Sequence, residues 1–159
     1  MFCQMSNKII ILPYLFRFMK YVIVYWSRYG NGKRIVERLG ERLGARGEVS
    51  TLRTDESVPS SLPHADIYVF SAPAEKFTIP GTMRSFIRDM DGVEGKKCAL
   101  INTHALKKRN WLKKMEKLVS KKNMDVVAMV DFRVDGDVEN GSGLMEGWEA
   151  KLDEFAASL

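Results

Sequence analysis

Cysteine, proline and long apolar runs are all scarce in this chain of 159 residues. Only two cysteines occur, Cys3 and Cys98, and no cluster of cysteine and histidine has the spacing of a zinc site. This composition favours a reducing, cytoplasmic compartment. The apolar residues around Cys98 predict a buried, unreactive thiol. No internal repeat, low-complexity tract or linker-like segment divides the chain, so we predict one globular domain.

The apolar run near the amino terminus, residues 9–16, is interrupted by Pro13. It is too short for a membrane-spanning helix, which needs about 20 residues. No small-residue cleavage site follows it, which argues against a secretory signal. We expect residues 1–19 to be an extension outside a domain of residues 20–159. Either translation starts at Met19 and the extension is an artefact, or the segment is a short peripheral membrane tether.

Acidic residues are scarce in residues 107–122, where Glu116 is the only acid among many cations. The whole chain has a formal net charge of +5 and a pI of about 9.2. Excess positive charge favours anionic partners, although a solvated helix face is the preferred explanation of the local run. No zinc finger, basic zipper or RNA-binding signature occurs, so we do not expect a nucleic-acid partner.

From Lys20 onward, the hydrophobic pattern alternates between the strand period and the helix period. Short apolar runs predict strands at residues 21–25, 67–70, 98–102 and 126–130, and the alternating, less apolar residues 49–53 predict an edge strand. Apolar residues at helical spacing predict helices around residues 35–43, 83–90, 111–119 and 148–155. Residues 54–66 and 71–81 are predicted to be loops, the first with room for a short helix. This alternation predicts an α/β fold, a doubly wound five-stranded parallel sheet with helices on both faces.

The expected strand order is 2-1-3-4-5, which places a ligand crevice beyond the carboxyl ends of the strands. Residues 27–33, called the first turn here, follow the first strand and read Ser-Arg-Tyr-Gly-Asn-Gly-Lys. A helix N-terminus presents unbonded N–H groups and a partial positive charge. Because Lys33 and Arg34 oppose that dipole unless an anion is present, the turn predicts an anion site. An ordinary glycine-containing turn with incidental charges is the alternative.

The first turn does not match the common nucleotide-binding motifs. A nucleoside-triphosphate loop requires Ser or Thr after Gly-Lys, but Arg34 follows Lys33. The dinucleotide fingerprint G-x-G-x-x-G fails because Ile35 stands in place of its third glycine. A phosphate-accepting receiver domain would need acidic residues after the first and third strands, where this chain has Ser27 and Ser71.

The segment "VIVYWSRYGNGKRIVERL" resembles the phosphate loop of the flavodoxin family, in which a hydroxyl residue and two more precede Gly-Asn-Thr and a helix. Ser27, Gly30 and Asn31 match this pattern. Gly32 replaces the threonine, and Tyr29 stands where a second small hydroxyl residue is common. Both departures remove short hydroxyl side chains from the phosphate site, so backbone N–H donors of residues 28–32 are expected to contribute more of the phosphate binding. Flavodoxin itself has the strand order that we predict for this chain.

Two later segments resemble the other loops of the family. "VFSAPAEKFTIPGTMRSFI" is similar to the loop that lines the isoalloxazine ring, and "ALINTHALKKRNWLKKMEKL" occupies the place of the third loop. The resemblance covers about residues 20–159 and implies that the chain binds FMN. It implies that the cofactor contacts Ser27, Arg28, Tyr29, Gly30, Asn31, Gly32, Lys33, Ala72, Pro73, Ala74, Glu75, Lys76, Phe77, Thr103, His104 and Trp111.

Within this resemblance, the phosphate would lie on the first turn and the ring between the loops after strands three and four. Phe77 is expected either to stack on the ring or to anchor its loop, and Trp111 either to cover the ring or to pack in the core. Cations at Lys76 or in residues 107–109 would stabilise a reduced, anionic flavin. No catalytic carboxylate pair or nucleophile–histidine pair is visible, so we predict no catalytic residue and no metal site.

Three functions remain open from the sequence. The first is a one-domain FMN electron carrier that docks with redox proteins, acidic ones because the chain is basic. The second is a small quinone or protoporphyrinogen-type flavin oxidoreductase at a membrane surface, and the third is a flavodoxin-like fold without flavin. The short chain favours the electron carrier, whereas its basic character and apolar amino-terminal residues favour the oxidoreductase.

Overall fold

The computed structural model describes residues 18–105 and 110–159. Within these residues, five strands form one sheet in the order β2-β1-β3-β4-β5. The strands are β1 (Met19–Tyr25), β2 (Gly47–Arg53), β3 (Ile67–Pro73), β4 (Lys97–His104) and β5 (Asp125–Arg133). Every neighbouring pair is parallel. The predicted parallel sheet and its order are therefore confirmed.

Four α-helices lie in the described part of the chain, and each follows the helical spacing of its apolar residues. They are α1 (Asn31–Gly44), α2 (Gly81–Asp89), α3 (Trp111–Ser120) and α4 (Trp148–Ala157), with a short 3-10 turn at Pro59–Ser61. Helices α1 and α4 cover one face of the sheet, and α2 and α3 cover the other. The prediction of helices on both faces is therefore confirmed.

Alternate side chains of the strands enter two separate cores, because successive residues of a strand point to opposite faces. Ile23 and Val69 pack with α1 and α4, whereas Val22 and Phe70 pack with α2 and α3. Burying one such side chain contributes about 1.5–3 kcal/mol to stability. Burial on both faces explains why the inner strands consist of continuous apolar runs.

The central strands β3 and β4 run further than their apolar residues indicated. Residues 71–73, predicted to begin a loop, belong to β3, and β4 continues to His104. The register explains this difference, since Ser71 pairs with both Tyr25 and Ile101. Hydrogen bonding from two neighbouring strands thus keeps polar residues in extended conformation. The loop boundary predicted at residue 71 is therefore wrong by three residues.

A cluster of charged residues joins helices α1 and α4. The Asp153 carboxylate accepts two bonds from Arg38, at 2.9 and 2.8 Å, and two from Arg42, at 2.9 and 3.2 Å. These two guanidinium groups hold the pKa of Asp153 well below its usual range. The helix that starts at the first turn is thereby fixed to the carboxyl-terminal helix.

The Cys98 thiol is buried, as the sequence predicted, and burial raises its pKa to about 12. Among the described residues, no helix is both long and apolar enough to cross a membrane. Strand β1 starts at Met19. The prediction for residues 1–19 falls almost entirely outside the described residues and stays a prediction, as do the roles expected for residues 107–109.

Candidate functional site

The first turn connects β1 to α1 at the carboxyl edge of the sheet. Trp26, the residue before the turn, donates its N–H to the Ser71 carbonyl of the neighbouring strand β3 at 3.0 Å. Gly30 has a φ of +99°. L side chains rarely adopt this conformation, whereas glycine does so without steric cost. The glycine therefore sets the direction in which the chain enters α1.

The Ser27 hydroxyl closes the turn from within. Its Oγ accepts the N–H of Gly30 at 3.1 Å and the N–H of Lys33 at 3.2 Å. Because both lone pairs are used, the hydroxyl proton can be donated to a ligand. The N–H groups of Asn31 and Gly32 have no acceptor within the helix, and none among the described residues. Two amides and one hydroxyl thus remain for an anion.

Residues 135–143, called the backing loop here, support the turn from behind. The Asn31 side chain donates to the Val138 carbonyl and accepts the Gly143 N–H, both at 2.9 Å. A Cβ atom placed on Gly141 would lie only 2.7 Å from the Tyr29 carbonyl oxygen. Both ends of the Asn31 amide are therefore engaged with the backing loop, which leaves its backbone N–H for a ligand.

A two-residue hairpin, residues 75–78, follows β3 on the other side of the crevice. Glu75 and Thr78 exchange backbone hydrogen bonds at 2.8 and 2.9 Å. Between them, Lys76 and Phe77 have φ angles of +47° and +60°. Turns with two left-handed residues normally contain Asn-Gly, and each non-glycine residue in this region costs about 1–2 kcal/mol. Backbone strain of this kind clusters at functional sites.

Two contacts hold the hairpin in place. The Lys114 Nζ donates to the Phe77 carbonyl at 2.9 Å. Arg28 of the first turn forms a bidentate ion pair with Glu75, at 2.8 and 3.0 Å. The Glu75 carboxylate raises the pKa of Arg28. This ion pair links the first turn to the hairpin, while the Phe77 side chain stays 61% exposed.

The end of β4 forms the floor of the crevice. The Ala74 N–H donates to the Thr103 carbonyl at 2.8 Å, which ties the second loop to this strand. His104 is buried, and its Nε2 lies 2.7 Å from Oδ2 of Asp131. Lys151 of α4 donates to the Asp131 carbonyl. A buried histidine with a carboxylate partner therefore lies where three loops meet.

A second pocket adjoins the crevice and is lined by Ala74, Lys76, Phe77, His104, Ala105 and Trp111. Trp111 is only 4% exposed, yet its Nε1 finds no hydrogen-bond acceptor in residues 18–105 or 110–159. An unmatched buried donor costs about 1–3 kcal/mol. The Lys114 Nζ lies 4.9 Å from the centre of the indole ring. The pocket thus offers an aromatic surface to a ligand.

The structure brings most of the residues named from the sequence together. The crevice is lined by Ser27, Arg28, Tyr29, Asn31, Gly32, Pro73, Ala74, Glu75, Thr103 and His104. Lys76, Phe77 and Trp111 line the second pocket. Gly30, Lys33 and Ala72 line neither pocket. The Lys33 Nζ is exposed and lies 3.8 Å from the Glu37 carboxylate, and Ala72 is buried in β3. The role of each residue toward a cofactor stays a prediction.

The sequence reasoning missed the backing loop, Asp131 and Lys114. Its one available signal was the run of glycines at residues 136, 141 and 143, which indicates a tightly folded segment but not its neighbour. Val134 and Val138 also line the crevice. Among the described residues, no group of three metal-binding side chains occurs.

A family model described as a flavodoxin domain matches residues 22–138. The chain belongs to the flavodoxin-domain family. Comparison with curated protein sequences finds no match at the threshold used. The fold of this flavodoxin-family chain is nevertheless shared with several solved structures.

Two of these structures are single-domain flavodoxins. The two-electron reduced flavodoxin of Megasphaera elsdenii is 17% identical, with a TM-score of 0.71 over 87% of this chain and 96% of that one. The oxidised flavodoxin 2 of Bacillus cereus is 18% identical, with a TM-score of 0.72 and the same coverage of 87% and 96%. These likenesses establish a shared fold.

A third structure is larger. The rubredoxin oxygen:oxidoreductase of Desulfovibrio gigas is 13% identical, with a TM-score of 0.73 over 98% of this chain. The match spans only 39% of that protein. The fold of this chain therefore also occurs as one part of a longer oxidoreductase.

Proposed function

We propose that this flavodoxin-family protein binds FMN and carries electrons between cytoplasmic redox proteins. One observation supports this most strongly: the left-handed Gly30 turn leaves the N–H groups of Asn31 and Gly32 unbonded at the rim of the crevice. Unbonded amides at a helix N-terminus are a site for a phosphate group. The solved flavodoxins with this fold support the choice of a flavin.

The chemistry of the first turn fits the FMN phosphate. The two amides, the Ser27 hydroxyl and the positive end of α1 would hold it. Lys33 lies near the N-terminus of α1 and adds positive charge. Because Gly32 has no side chain, backbone donors supply most of this binding.

The second pocket fits the isoalloxazine ring. Trp111 supplies flat apolar cover, and Phe77 lies at the outer edge. When bound, FMN supplies one- and two-electron chemistry. Lys76 and Lys114 would favour added negative charge beside the ring. We therefore expect a less negative reduction potential than in flavodoxins with acidic surfaces.

Flavin titration tests the proposal. The purified protein, freed of flavin, should quench FMN fluorescence with one site per chain and should bind riboflavin much more weakly, because riboflavin lacks the phosphate. Absence of quenching at saturating FMN, together with no flavin absorbance in the purified protein, would contradict the proposal. Circular dichroism would show that the protein used is folded.

A second function, reduction of a small quinone, is favoured by one observation. The His104–Asp131 pair at the crevice floor can hold a proton close to a bound substrate. Conversion of a quinone to a hydroquinone consumes two electrons and two protons. If this function applies, the two-electron-reduced, FMN-loaded protein should convert one benzoquinone per flavin to hydroquinone in a single turnover, and His104→Gln should slow that reaction without removing FMN.

A further inference from the structure

The ring end of the crevice carries an exposed cationic surface around one aromatic side chain. We call Lys76, Phe77, Lys113, Lys114 and Lys117 the basic tip. The three lysines of α3 lie on the outer face of that helix, because its residues 111, 115 and 119 are buried. Lys76 and Phe77 are exposed at the point of the hairpin. The basic tip is therefore one surface formed by two elements.

Phe77 is held in a defined position within this surface. Its backbone is fixed by the left-handed hairpin, and its carbonyl accepts a bond from Lys114 at 2.9 Å. A partner that covers this aromatic side chain therefore does not have to order the backbone that carries it. Aromatic residues, including phenylalanine, are enriched at protein interfaces.

The charge around the basic tip is mainly positive. Glu116 is the only acid in α3, and Glu75 of the hairpin is paired with Arg28. By contrast, the backing loop on the phosphate side of the crevice contains three exposed acids: Asp135, Asp137 and Glu139. A negatively charged partner is therefore attracted to the basic tip and repelled by the backing loop.

We propose that the basic tip is the docking surface for an acidic electron-transfer protein, with Phe77 as its apolar anchor. This inference rests on the proposed FMN function, because the pocket assigned to the ring adjoins Lys76 and Phe77. A protein docked there would lie beside the ring. A lipid surface fits less well, since membrane attachment requires a broad apolar face and Phe77 is the one apolar side chain of the basic tip.

A charge reversal with a matched control tests the proposal. Lys113→Glu/Lys117→Glu changes the outer face of α3 without touching either pocket. Lys20→Glu/Lys97→Glu makes the same change in net charge at exposed positions near the amino ends of β1 and β4. The probe is a reduced, acidic [2Fe–2S] ferredoxin, which gives one electron to the FMN-loaded protein. Stopped-flow absorbance gives the second-order rate constant at several salt concentrations.

The reversal in α3 should slow the reaction roughly tenfold to a hundredfold at low salt and flatten its salt dependence. The control pair should keep most of the rate. Equal rates for the two pairs would overturn the proposal. So would vesicles containing phosphatidylserine that capture the protein through these lysines and exclude the ferredoxin.

Binding of the flavin-free protein separates this proposal from the proposed function. Amide resonances of residues 76–78 and 113–117 should shift when the ferredoxin is added at low salt, and Phe77→Ser should weaken the complex at least about tenfold. Shifts confined to other surfaces would overturn the docking site. If the flavin-free protein binds ferredoxin at the basic tip but takes up no FMN, the docking surface stands and the proposed cofactor is wrong.

Discussion

The two ends of the crevice, which we propose to bind the phosphate and the ring of FMN, are built differently. At the phosphate end, the first turn is fixed by the Ser27 hydroxyl, by β3 and by the backing loop. At the ring end, the hairpin is held mainly by the Arg28–Glu75 ion pair and the Lys114 bond, and Phe77 is exposed. The phosphate end is therefore supported by other parts of the fold, whereas the ring end is exposed to solvent.

This difference matches two requirements of an electron carrier. Backbone donors select a phosphate only if their directions are fixed, so the turn must be rigid. A redox group that exchanges electrons with proteins must have one edge near the surface. The two ends should therefore respond differently to substitution. Changes at the phosphate end should alter the preference for FMN over riboflavin. Changes at the ring end should weaken the binding of both flavins.

The largest effect is expected for Gly30→Val, because valine is strained at a φ of +99°. Misdirecting two amides that bind a charged group should weaken FMN binding roughly a hundredfold or more. Riboflavin binding should change little. Fluorescence titration measures both, with circular dichroism to confirm folding.

Gly92→Val is the matched control, since Gly92 also has a positive φ of +71° but has nothing within 4 Å of its Cβ position. Each variant should lose about 1–2 kcal/mol of stability. If folded Gly30→Val binds FMN as tightly as the control does, the phosphate lies elsewhere.

Gly141→Ala tests the support behind the turn. The added methyl group would meet the Tyr29 carbonyl at 2.7 Å, so the contact between the first turn and the backing loop must change. We expect FMN affinity to fall about tenfold through weakened hydrogen bonds. Gly147→Ala, at a φ of +86° with open space around it, is the control. Equal FMN affinities in the two variants would show that the backing loop does not position the turn.

Gly32→Thr should strengthen FMN binding at the phosphate end, because it restores the hydroxyl that the family pattern contains. A Cβ on Gly32 would lie 3.5 Å from the Ser27 Oγ, which is ordinary contact. One hydrogen bond to a charged group should tighten FMN binding roughly tenfold. Gly32→Val has a similar shape without the hydroxyl and should show no gain. A gain of equal size for riboflavin would place the new hydroxyl away from the phosphate.

Trp111→Phe tests the ring end. Removing the indole N–H and part of the apolar cover should weaken FMN and riboflavin alike, by about threefold to tenfold. The control is Trp148→Phe, which changes a half-buried tryptophan whose ring is covered by Arg34. Loss of FMN affinity without loss of riboflavin affinity would contradict the assignment of this pocket to the ring.

The smallest effect on FMN binding is expected for a substitution of Asp153, the residue that fixes α1 to α4. Because its pKa is lowered in the folded state, its contribution to stability is present above its unfolded pKa of about 4 and is lost as the pH falls below that value. Asp153→Asn should therefore be less stable than the wild type at pH 7, and the difference should shrink in acid. Urea unfolding at several pH values measures the difference in free energy of unfolding between the two proteins. A difference that does not change with pH would contradict this prediction. FMN affinity at pH 7 should be unchanged.

The sequence predicted the parts of the molecule that follow local rules. Apolar runs buried on both faces identified the strands, and the spacing around Gly30 identified the turn. The ends of β3 and β4 were missed because Ser71 and Thr103 are polar, and only pairing with neighbouring strands explains their extended conformation.

The tertiary features of the site had no local signal. Asn31 was expected to face a ligand, yet its amide side chain bonds to a loop far along the chain. For Trp111, ring cover and core packing were separate alternatives, but the side chain is buried and also lines a pocket. The Asp131 partner of His104 lies on a different strand, and no motif connects the two.

The most direct test of the account is an amide resonance titration of the flavin-free protein with FMN and, separately, with riboflavin. Bound FMN should shift the Asn31 and Gly32 N–H signals and the Trp111 indole signal. Riboflavin should shift the indole signal and leave the two amides nearly unmoved. If FMN leaves the amides of Asn31 and Gly32 unchanged, or if riboflavin shifts them equally, the phosphate does not bind at the first turn.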